Sequence, residues 1–326
     1  MRTLRPKMFA MLFISLCLVG LLWTGVYAAG FEYPTRAITF VVPFPAGGVT
    51  DLSARTLAEA MEKHLKQPVV VVNKPGGRTT VAGYAVATAK PDGYTLGFFP
   101  ISASIPEAYS YFQEAPYSSK DLLPICSIAE PIQTWVVRED MPWNNLKDLV
   151  DFARKNPGVK VSTGGKQTEP LCLGPVNRKE RVGFVGVAFS GDATNLTAIL
   201  GGHVPVAILD YTAAKTSIDA KKLKPLAFCS EKRADFAPDV PTIVELGYEL
   251  TFLPLVGVFA PKGTPDEVVK KIDALAGKIT EEQDFRNKLN NMSVRLNYRN
   301  AATYQKNLER YIENIKAFFK EEGLIK

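Results

Sequence analysis

The chain has 326 residues, of which 46% are hydrophobic and 22% are charged, and these proportions exclude a disordered or fibrous protein. Its length exceeds what a typical single hydrophobic core supports, so two domains are expected. The formal net charge is +6, but three of the positive charges lie in the first seven residues, and without them 36 basic residues face 33 acidic ones. Because no Lys/Arg block or basic–aromatic stripe stands out, nucleic acid is not an expected partner.

The first 28 residues have the layout of a secretory signal peptide. A basic head precedes an apolar run, Met8 to Trp23, and Val26-Tyr27-Ala28 forms a small-x-small cleavage site. The apolar run has 16 residues, whereas a membrane-spanning helix needs roughly 20. An uncleaved N-terminal anchor is the alternative interpretation. We therefore predict cleavage after Ala28 and a periplasmic product.

Three cysteines follow the predicted cleavage site, Cys126, Cys172 and Cys229. Their spacing permits one disulfide but requires none, and buried unpaired thiols are the favoured interpretation. The chain has no C-x-x-C, H-E-x-x-H or G-x-S-x-G pattern, and neither His64 nor His203 has a neighbouring nucleophile. No metal, no cofactor and no catalytic residue is therefore predicted.

Strand and helix patterns alternate through the first hundred residues. Ile38–Val42 is continuously apolar, as in a strand buried on both faces, and apolar residues then recur at helical spacing from Leu52 to Leu65. Short links between such elements are typical of a parallel sheet covered by helices. The next predicted elements are a strand at Pro68–Val72, a helix at Thr80–Ala89 and a strand at Tyr94–Phe99.

A second alternating unit is predicted from Pro131 onwards. Its predicted elements are strands at Thr134–Val137, Val159–Val161, Phe184–Phe189, Val204–Leu209 and Leu223–Phe228, and helices at Asn145–Ala153 and Ala193–Leu200. A strand at Val256–Phe259 follows, and Thr264 and Pro265 are expected as the N-cap and first residue of the next helix. The last helix should place five side chains on one face: Tyr304, Leu308, Tyr311, Ile315 and Phe318.

The loop between the first strand and the first helix, Ala46-Gly47-Gly48-Val49-Thr50, is the first candidate binding site. No lysine follows its last glycine as in a phosphate loop, and its paired glycines do not form a G-x-G-x-x-G fingerprint. The free N–H groups of a helix N-terminus can still hold a carboxylate without a cationic side chain. A tight turn without a ligand is the alternative. Asp51 and Thr50 are expected to cap the first-turn amides.

Small and hydroxyl-bearing residues recur in the loops after other predicted strands. Because ligands of open α/β sheets lie at the carboxyl ends of strands, these loops should face one another across a cleft between two lobes. A small polar anion clamped between the lobes is the predicted ligand. Asp192 and Asp210 could form an acid–base pair there, but helix caps are the favoured interpretation. The loops are Gly76–Thr79, Ser102–Ser104, Ser162–Gly165 and Ser190–Ala193.

Six stretches of the chain carry a family likeness. They are Val42–Asp51, which reads VPFPAGGVTD, and Gln67–Gly77, Ala89–Leu96, Leu200–Val204, Asp239–Gly247 and Phe259–Pro265. In this order they resemble the Bug-type extracytoplasmic solute-binding receptors of tripartite tricarboxylate transporters. The likeness spans essentially the whole chain after the leader.

The resemblance implies an α/β, type II periplasmic-binding-protein fold with two doubly wound lobes joined by a two-segment hinge. Lobe one would comprise residues 31–128 and 254–326, and lobe two residues 129–253. The resemblance also implies closure on a small organic carboxylate, a di- or tricarboxylate or an aromatic acid, held by main-chain amides, hydroxyls and water. We expect a monomer that delivers this ligand to membrane transporter subunits. The alternatives are a ligand-sensing receptor for a sensor kinase and an exported α/β enzyme acting on a small carboxylic acid.

By position, the resemblance and the loop pattern place ligand-binding residues in both lobes. Two segments depart from the family pattern: Lys166–Cys172 replaces a longer amphipathic helix, with Gly174-Pro175 interrupting it, and Arg78 stands where small residues are common. Arg78 either pairs with a second ligand carboxylate or lies on the surface. The predicted ligand-binding residues are Phe44, Pro45, Ala46, Gly47, Gly48, Val49, Thr50, Asp51, Gly76, Gly77, Arg78, Thr79, Ser102, Ser104, Ser162, Thr163, Gly164, Gly165, Ser190, Gly191, Asp192, Ala193, Asp210 and Tyr211.

Overall fold

The computed structural model describes residues 32–106, 115–163, 172–189, 191–250 and 253–321, with the side chain of Arg78 excepted. The predicted signal peptide lies outside these ranges. Every element below belongs to one compact unit, Arg36–Lys326. Within the described ranges, no helix combines the length and the hydropathy that a membrane span requires.

The strands and helices alternate along most of the described chain. The strands are β1 (Ile38–Val42), β2 (Val69–Asn73), β3 (Thr95–Pro100), β4 (Leu122–Glu130), β5 (Gln133–Arg138), β6 (Lys160–Thr163), β7 (Val185–Ala188), β8 (Val206–Asp210), β9 (Leu223–Phe228), β10 (Val256–Pro261) and β11 (Arg295–Arg299). The helices are α1 (Val49–Leu65), α2 (Thr80–Ala87), α3 (Leu146–Lys155), α4 (Gly174–Glu180), α5 (Asp192–Leu200), α6 (Tyr211–Asp219), α7 (Asp266–Thr280), α8 (Gln283–Asn291) and α9 (Ala301–Glu321).

The strands form two sheets, ordered β11-β4-β10-β3-β1-β2 and β7-β6-β8-β5-β9. In the first sheet β1 is parallel to β2 and β3, and in the second β6 is parallel to β7 and β8. Both sheets are nevertheless mixed, which corrects the expectation of purely parallel sheets. The strand β10 returns from the second sheet and enters between β3 and β4, antiparallel to both, and β5 is antiparallel to β8 and β9.

The first sheet is buried because its central strands are apolar on both faces. In β1 every residue except Thr39 is buried, and Phe40 stacks on Phe98 with ring centroids 6.0 Å apart. Phe99 of β3 stacks on Phe259 of β10 at 4.8 Å. This packing fixes the carboxyl ends of β1 and β3, and therefore the loops that follow them.

The crossing from the first sheet to the second is short. Only residues 131–132 separate β4 from β5, and the strands of the second sheet all lie between residues 133 and 228. The strand β4 extends to Glu130, beyond the predicted limit of lobe one at residue 128. The predicted lobe boundaries themselves stay predictions.

Three helix details differ from the sequence-based predictions. The Thr264 hydroxyl donates to the Pro261 carbonyl at 2.8 Å instead of capping, and α7 begins at Asp266. In α9 Phe319 is buried in place of Phe318, because it continues the spacing of the other buried positions by four residues from Ile315. Gly174-Pro175 opens α4 and does not interrupt it, since proline fits the first helical turn.

The cysteines also differ from expectation. Cys172 and Cys229 form a disulfide with their Cα atoms 5.7 Å apart, so the prediction of unpaired thiols is wrong for these two. Cys172 lies just before α4 and Cys229 just after β9, and both belong to one hydrophobic core that brings them together across 57 residues. Cys126, on β4, is buried and free.

Candidate functional site

The loop after β1 brings the N-terminus of α1 to the carboxyl edge of the first sheet. Pro45, Ala46, Gly47 and Gly48 are exposed, whereas Thr50 is buried in the first helical turn. Gly47 has φ +88°, a left-handed conformation that glycine adopts without strain. Gly48 has φ −77° and ψ 165°, and a Cβ there would touch only the Pro45 carbonyl oxygen, at 3.8 Å. The turn therefore requires glycine at 47, while glycine at 48 leaves open space over the helix start.

Asp51 anchors this loop from the inside. Its side chain is 1% exposed and accepts hydrogen bonds from the Gly47 N–H at 2.8 Å and from Arg55 Nε and Nη2 at 3.0 Å each. Asn73, at the end of β2, donates to Asp51 at 2.8 Å and to the Phe44 carbonyl at 2.9 Å. Burial alone would raise the pKa of Asp51, but the hydrogen bonds from Arg55, Gly47 and Asn73 outweigh it, so this pKa lies below its usual value.

The first-turn amides of α1 are not capped by Asp51, which corrects the predicted cap. The Asp51 carboxylate reaches past them to Gly47, and the N-cap residue Gly48 has no side chain to replace it. No acceptor among the described residues bonds the N–H groups of Gly48, Val49 or Thr50. These groups carry the partial positive charge of a helix N-terminus and suit a carboxylate. The nearby Arg55 charge is neutralised by Asp51, so the loop presents dipoles and no net cation.

The loop after β2 has an unusual backbone. Gly76 and Gly77 have φ +124° and +53°, and Thr79, immediately before α2, has φ +82°. A β-branched residue in this region costs about 1–3 kcal/mol, and such strain is concentrated at functional sites. The side chain of Arg78 is not among the described atoms, so its contact with a ligand stays a prediction. The strain at Thr79 supports a functional loop here.

The loop after β3 is only partly available to a ligand. Ser104 is buried, and its hydroxyl donates to the Ile101 carbonyl at 2.7 Å, so it stabilises the 3₁₀ turn Ile101–Ser104. Ser102 is partly exposed on the same turn. Of the two predicted serines, Ser102 therefore has the more accessible hydroxyl.

At the end of β6 both of the described predicted hydroxyls, of Ser162 and Thr163, are buried. Ser162 is fully buried and donates to Asn195 Oδ1 at 2.5 Å, which ties β6 to α5. The Thr163 hydroxyl is also buried and has no hydrogen-bond partner among the described residues. The predicted residues Gly164, Gly165 and Ser190 lie outside the described residues.

The start of α5 and the end of β8 bring two carboxyl groups together. Asp192 accepts hydrogen bonds from the side chain and the backbone N–H of Asp210, and Gln133 Nε2 donates to Asp210 at 2.5 Å. Burial raises the pKa of Asp192, and the hydrogen bonds from Asp210 oppose this only in part. Burial and then the negative charge of Asp192 raise the pKa of Asp210 well above its ordinary value, against the hydrogen bond from Gln133. The two carboxyls therefore share a proton, and neither caps its helix as predicted.

The neighbouring predicted residues differ in exposure. Gly191 has φ +145° at the start of α5, and Ala193 is exposed. Tyr211 is 5% exposed and packs against Phe228 and Phe236 with ring centroids 5.3 Å away in each case. The Tyr211 ring therefore belongs to the core.

The described site residues lie at or after the carboxyl ends of β1, β2 and β3 in one sheet and of β6, β7 and β8 in the other. Their direct contact with a ligand stays a prediction. The sequence-based reasoning missed four residues that hold this arrangement: Arg55, Asn73, Gln133 and Asn195. Arg55 was detectable from its i,i+4 spacing to Asp51, whereas the other three become neighbours only through sheet pairing or the packing of α5.

Comparison with known protein families and sequences gives one consistent result. A family model described as the tripartite tricarboxylate transporter family receptor matches residues 53–324. A UPF0065 protein of Bordetella pertussis is 32% identical over 280 residues, which cover 85% of this chain and 86% of that relative. The family-model match includes the second sheet and every strand of the first sheet except β1, and it begins just after the glycine loop Phe44–Asp51.

Solved structures agree with this result. A TctC solute-binding protein from Polaromonas, solved without ligand, aligns with a TM-score of 0.76 and 29% identity over 89% of this chain and 100% of that chain. An R. palustris protein solved with adipate gives 0.73 and 26%, over 90% and 99% of the two chains. MatC from Rhodopseudomonas palustris with bound malate gives 0.68 and 26%, over 87% and 100%.

Proposed function

This chain belongs to the tripartite tricarboxylate transporter receptor family, and we propose that it is a periplasmic protein that captures a small organic carboxylate between two lobes. Family membership supports delivery of this ligand to the membrane subunits of a transporter. The relatives solved with adipate and malate support a carboxylic acid as the ligand class. A signalling partner in place of the transporter is the alternative for the same binding event.

The observation that carries the proposal is the start of α1. Three consecutive N–H groups, of Gly48, Val49 and Thr50, have no acceptor among the described residues, and glycine at 48 leaves open space at the helix start. Asp51 holds the turn rigid through Gly47, so little ordering remains to be done when a carboxylate binds. A ligand carboxylate would accept hydrogen bonds from these N–H groups and so supply the acceptor that the helix start lacks.

A thermal-shift screen with mono-, di- and tricarboxylates and aromatic acids tests the proposal. At 100 times its dissociation constant, a ligand adds about 2.7 kcal/mol to the free energy of unfolding and raises the melting temperature by several degrees. We expect Gly48→Val to fold but to lose this shift, because the new side chain covers the helix start. Gly183→Val is the matched control, since Gly183 is also exposed and a Cβ there meets nothing closer than 3.7 Å.

Two results contradict the proposal. In the first, no carboxylate raises the melting temperature and mass spectrometry finds none bound to the purified protein. In the second, Gly48→Val and Gly183→Val keep the same affinity, which would make the glycine loop only a turn.

A second candidate function rests on the Asp192–Asp210 pair. Two carboxyls with raised pKa values that share a proton are a recurrent feature of acid–base catalysis, so an exported enzyme acting on a small carboxylic acid is the alternative. An enzyme would consume its ligand. Recovery of the bound acid unchanged after prolonged incubation with the protein favours the receptor, and conversion that is abolished by Asp192→Asn favours the enzyme.

A further inference from the structure

A second concave site lies between β11 and the chain that follows β9. It is a cavity of about 380 Å³, and its charged lining comprises Glu231, Lys232, Arg286, Arg295 and Arg299. We call it the arginine pocket. None of these residues belongs to the candidate site described above, and the pocket is lined by β11 of the first sheet, the end of α7, α8 and the loop after β9.

The arginine pocket has an excess of positive charge. Four of its five charged lining residues are cationic, and only Glu231 is acidic. Glu130 lies behind it, fully buried, with Arg295 Nη2 at 3.1 Å from its carboxylate. Burial raises the pKa of Glu130, and the neighbouring Arg295 charge opposes this rise. Arg295 and Arg299 are each paired with a glutamate, whereas neither Lys232 nor Arg286 has an ion-pair partner among the described residues, so two positive charges of the pocket are unbalanced there.

Two of its guanidinium groups use some of their N–H donors in contacts within the protein and keep the others for a ligand. Arg286 Nε donates to the Thr280 carbonyl at 2.8 Å, and this is the contact that the described residues provide for that side chain. Arg295 Nη1 donates to the Lys232 carbonyl at 2.7 Å, in addition to the contact with Glu130. A guanidinium has five N–H donors, so both groups keep donors for a further acceptor.

Arg299 is held in a similar manner. Its Nε donates to Asn297 Oδ1 at 2.9 Å, and its Nη2 donates to Glu231 Oε2 at 3.0 Å. These contacts fix the plane of the guanidinium before any ligand arrives, which lowers the entropy lost on binding. Three planar guanidinium groups lie in one small cavity. Each can donate two parallel hydrogen bonds to the oxygens of a phosphate or a carboxylate.

We infer that the arginine pocket binds a small multivalent oxyanion, separately from the ligand of the glycine loop. Its volume suits a molecule of a few atoms around one or more phosphate or carboxylate groups and not a protein segment. Inorganic phosphate and citrate share the chemistry that three guanidiniums recognise. The inference does not depend on the proposed function, because no residue of the pocket is needed for capture at α1.

Isothermal titration at low ionic strength tests it, with inorganic phosphate in one arm, citrate in the other, and sodium chloride of equal ionic strength as the reference. We expect a saturable heat with at least one of the two oxyanions. Arg286→Gln and Arg299→Gln should each weaken that binding roughly tenfold, because each removes one charged donor pair. Arg286→Lys should lie between wild type and Arg286→Gln, since it keeps the charge but loses the fork.

Two control variants separate this site from others. Arg36→Gln removes an exposed arginine that pairs with Asp92 elsewhere on the surface, and it should leave the affinity unchanged. Gly48→Val should also bind phosphate or citrate in the arginine pocket as wild type does. Arg295 is kept intact, because its loss would leave the buried Glu130 without its cation.

Three results overturn the inference. One is the absence of any heat beyond the sodium chloride reference for both oxyanions. Another is binding that Arg286→Gln and Arg299→Gln leave unchanged while circular dichroism shows them folded. The third is binding lost in Gly48→Val, which assigns the oxyanion to the glycine loop and leaves the proposed function standing.

Discussion

Replacing Asp51 by asparagine tests whether one buried carboxylate organises the glycine loop. In the protein, one carboxylate oxygen accepts from the Gly47 N–H and Arg55 Nε, and the other accepts from Arg55 Nη2 and Asn73. An asparagine side chain has the same shape but replaces one oxygen with an NH₂ group. Whichever way the amide is oriented, that NH₂ faces two donors, so two of the four hydrogen bonds are lost.

The expected loss of stability follows from these contacts. Each lost hydrogen bond to a charged group contributes about 1.5 kcal/mol or more, but Arg55 is 47% exposed and water replaces part of what it loses. We therefore expect Asp51→Asn to lower the free energy of unfolding by about 3 kcal/mol. That corresponds to a fall in melting temperature of roughly 6–12 °C. Carboxylate affinity should fall as well, because Gly47 is released.

Thermal melts of the wild type and the variant across a pH series measure this effect. The pKa of Asp51 is lowered in the folded state, so its contribution is present above the ordinary aspartate pKa of about 3.9 and is lost as the pH falls through the folded-state value. The difference between the two proteins should therefore narrow below about pH 4. Asp92→Asn is the matched control, because Asp92 also pairs with an arginine, Arg36, but both side chains are exposed. An equal loss in both variants refutes the anchoring role of Asp51.

One further variant is expected to raise the melting temperature, and another is expected to lower it. Asp210→Asn should raise the melting temperature near pH 7, because the pKa of Asp210 is raised in the folded state. The contribution of Asp210 to stability is fully present only below about pH 3.9 and is lost as the pH rises. The gain should shrink as the pH is lowered towards 4, and an unchanged or lower melting temperature near neutral pH contradicts the shared proton. The double variant Cys172→Ala/Cys229→Ala should melt on the order of 10 °C lower, since a disulfide across 57 residues contributes about 4 kcal/mol in the chain-entropy model. Dithiothreitol should lower the melting temperature of the wild type but not of that variant, and Cys126→Ala, which keeps the disulfide, should still respond to it.

The elements that the sequence predicted are those with a strong local pattern. Ile38–Val42 has the predicted bounds because a continuous apolar run between turn residues leaves a buried strand as the favoured structure. The strands β4 and β11 were not predicted. Arg295–Arg299 carries two arginines and an asparagine at the edge of the sheet, and its pairing with β4, more than 160 residues away, has no local signature.

The same distinction holds for the candidate site. The glycine loop at α1 was identifiable because its strand, turn and helix are contiguous in the chain. The Asp192–Asp210 contact was visible only as an open alternative, since 18 residues and one strand separate the two carboxyls. The Cys172–Cys229 pair likewise depends on the packing of α4 and β9 in one core. Periodicity reports which face of an element is buried, but not which distant element covers it.

The two proposed anion sites differ in how charge is arranged, and this difference decides what each could discriminate. At the start of α1 the Arg55 charge is paired with Asp51, so a ligand bound there as proposed would meet N–H dipoles whose influence fades within one helical turn. Binding at such a site depends strongly on the position and angle of a single carboxylate. In the arginine pocket, the charges of Lys232 and Arg286 have no ion-pair partner among the described residues, and they would act over about 10 Å at moderate salt and attract an oxyanion largely independently of its carbon skeleton. The proposed receptor requires selection by geometry, and a loop without a net cation is suited to it.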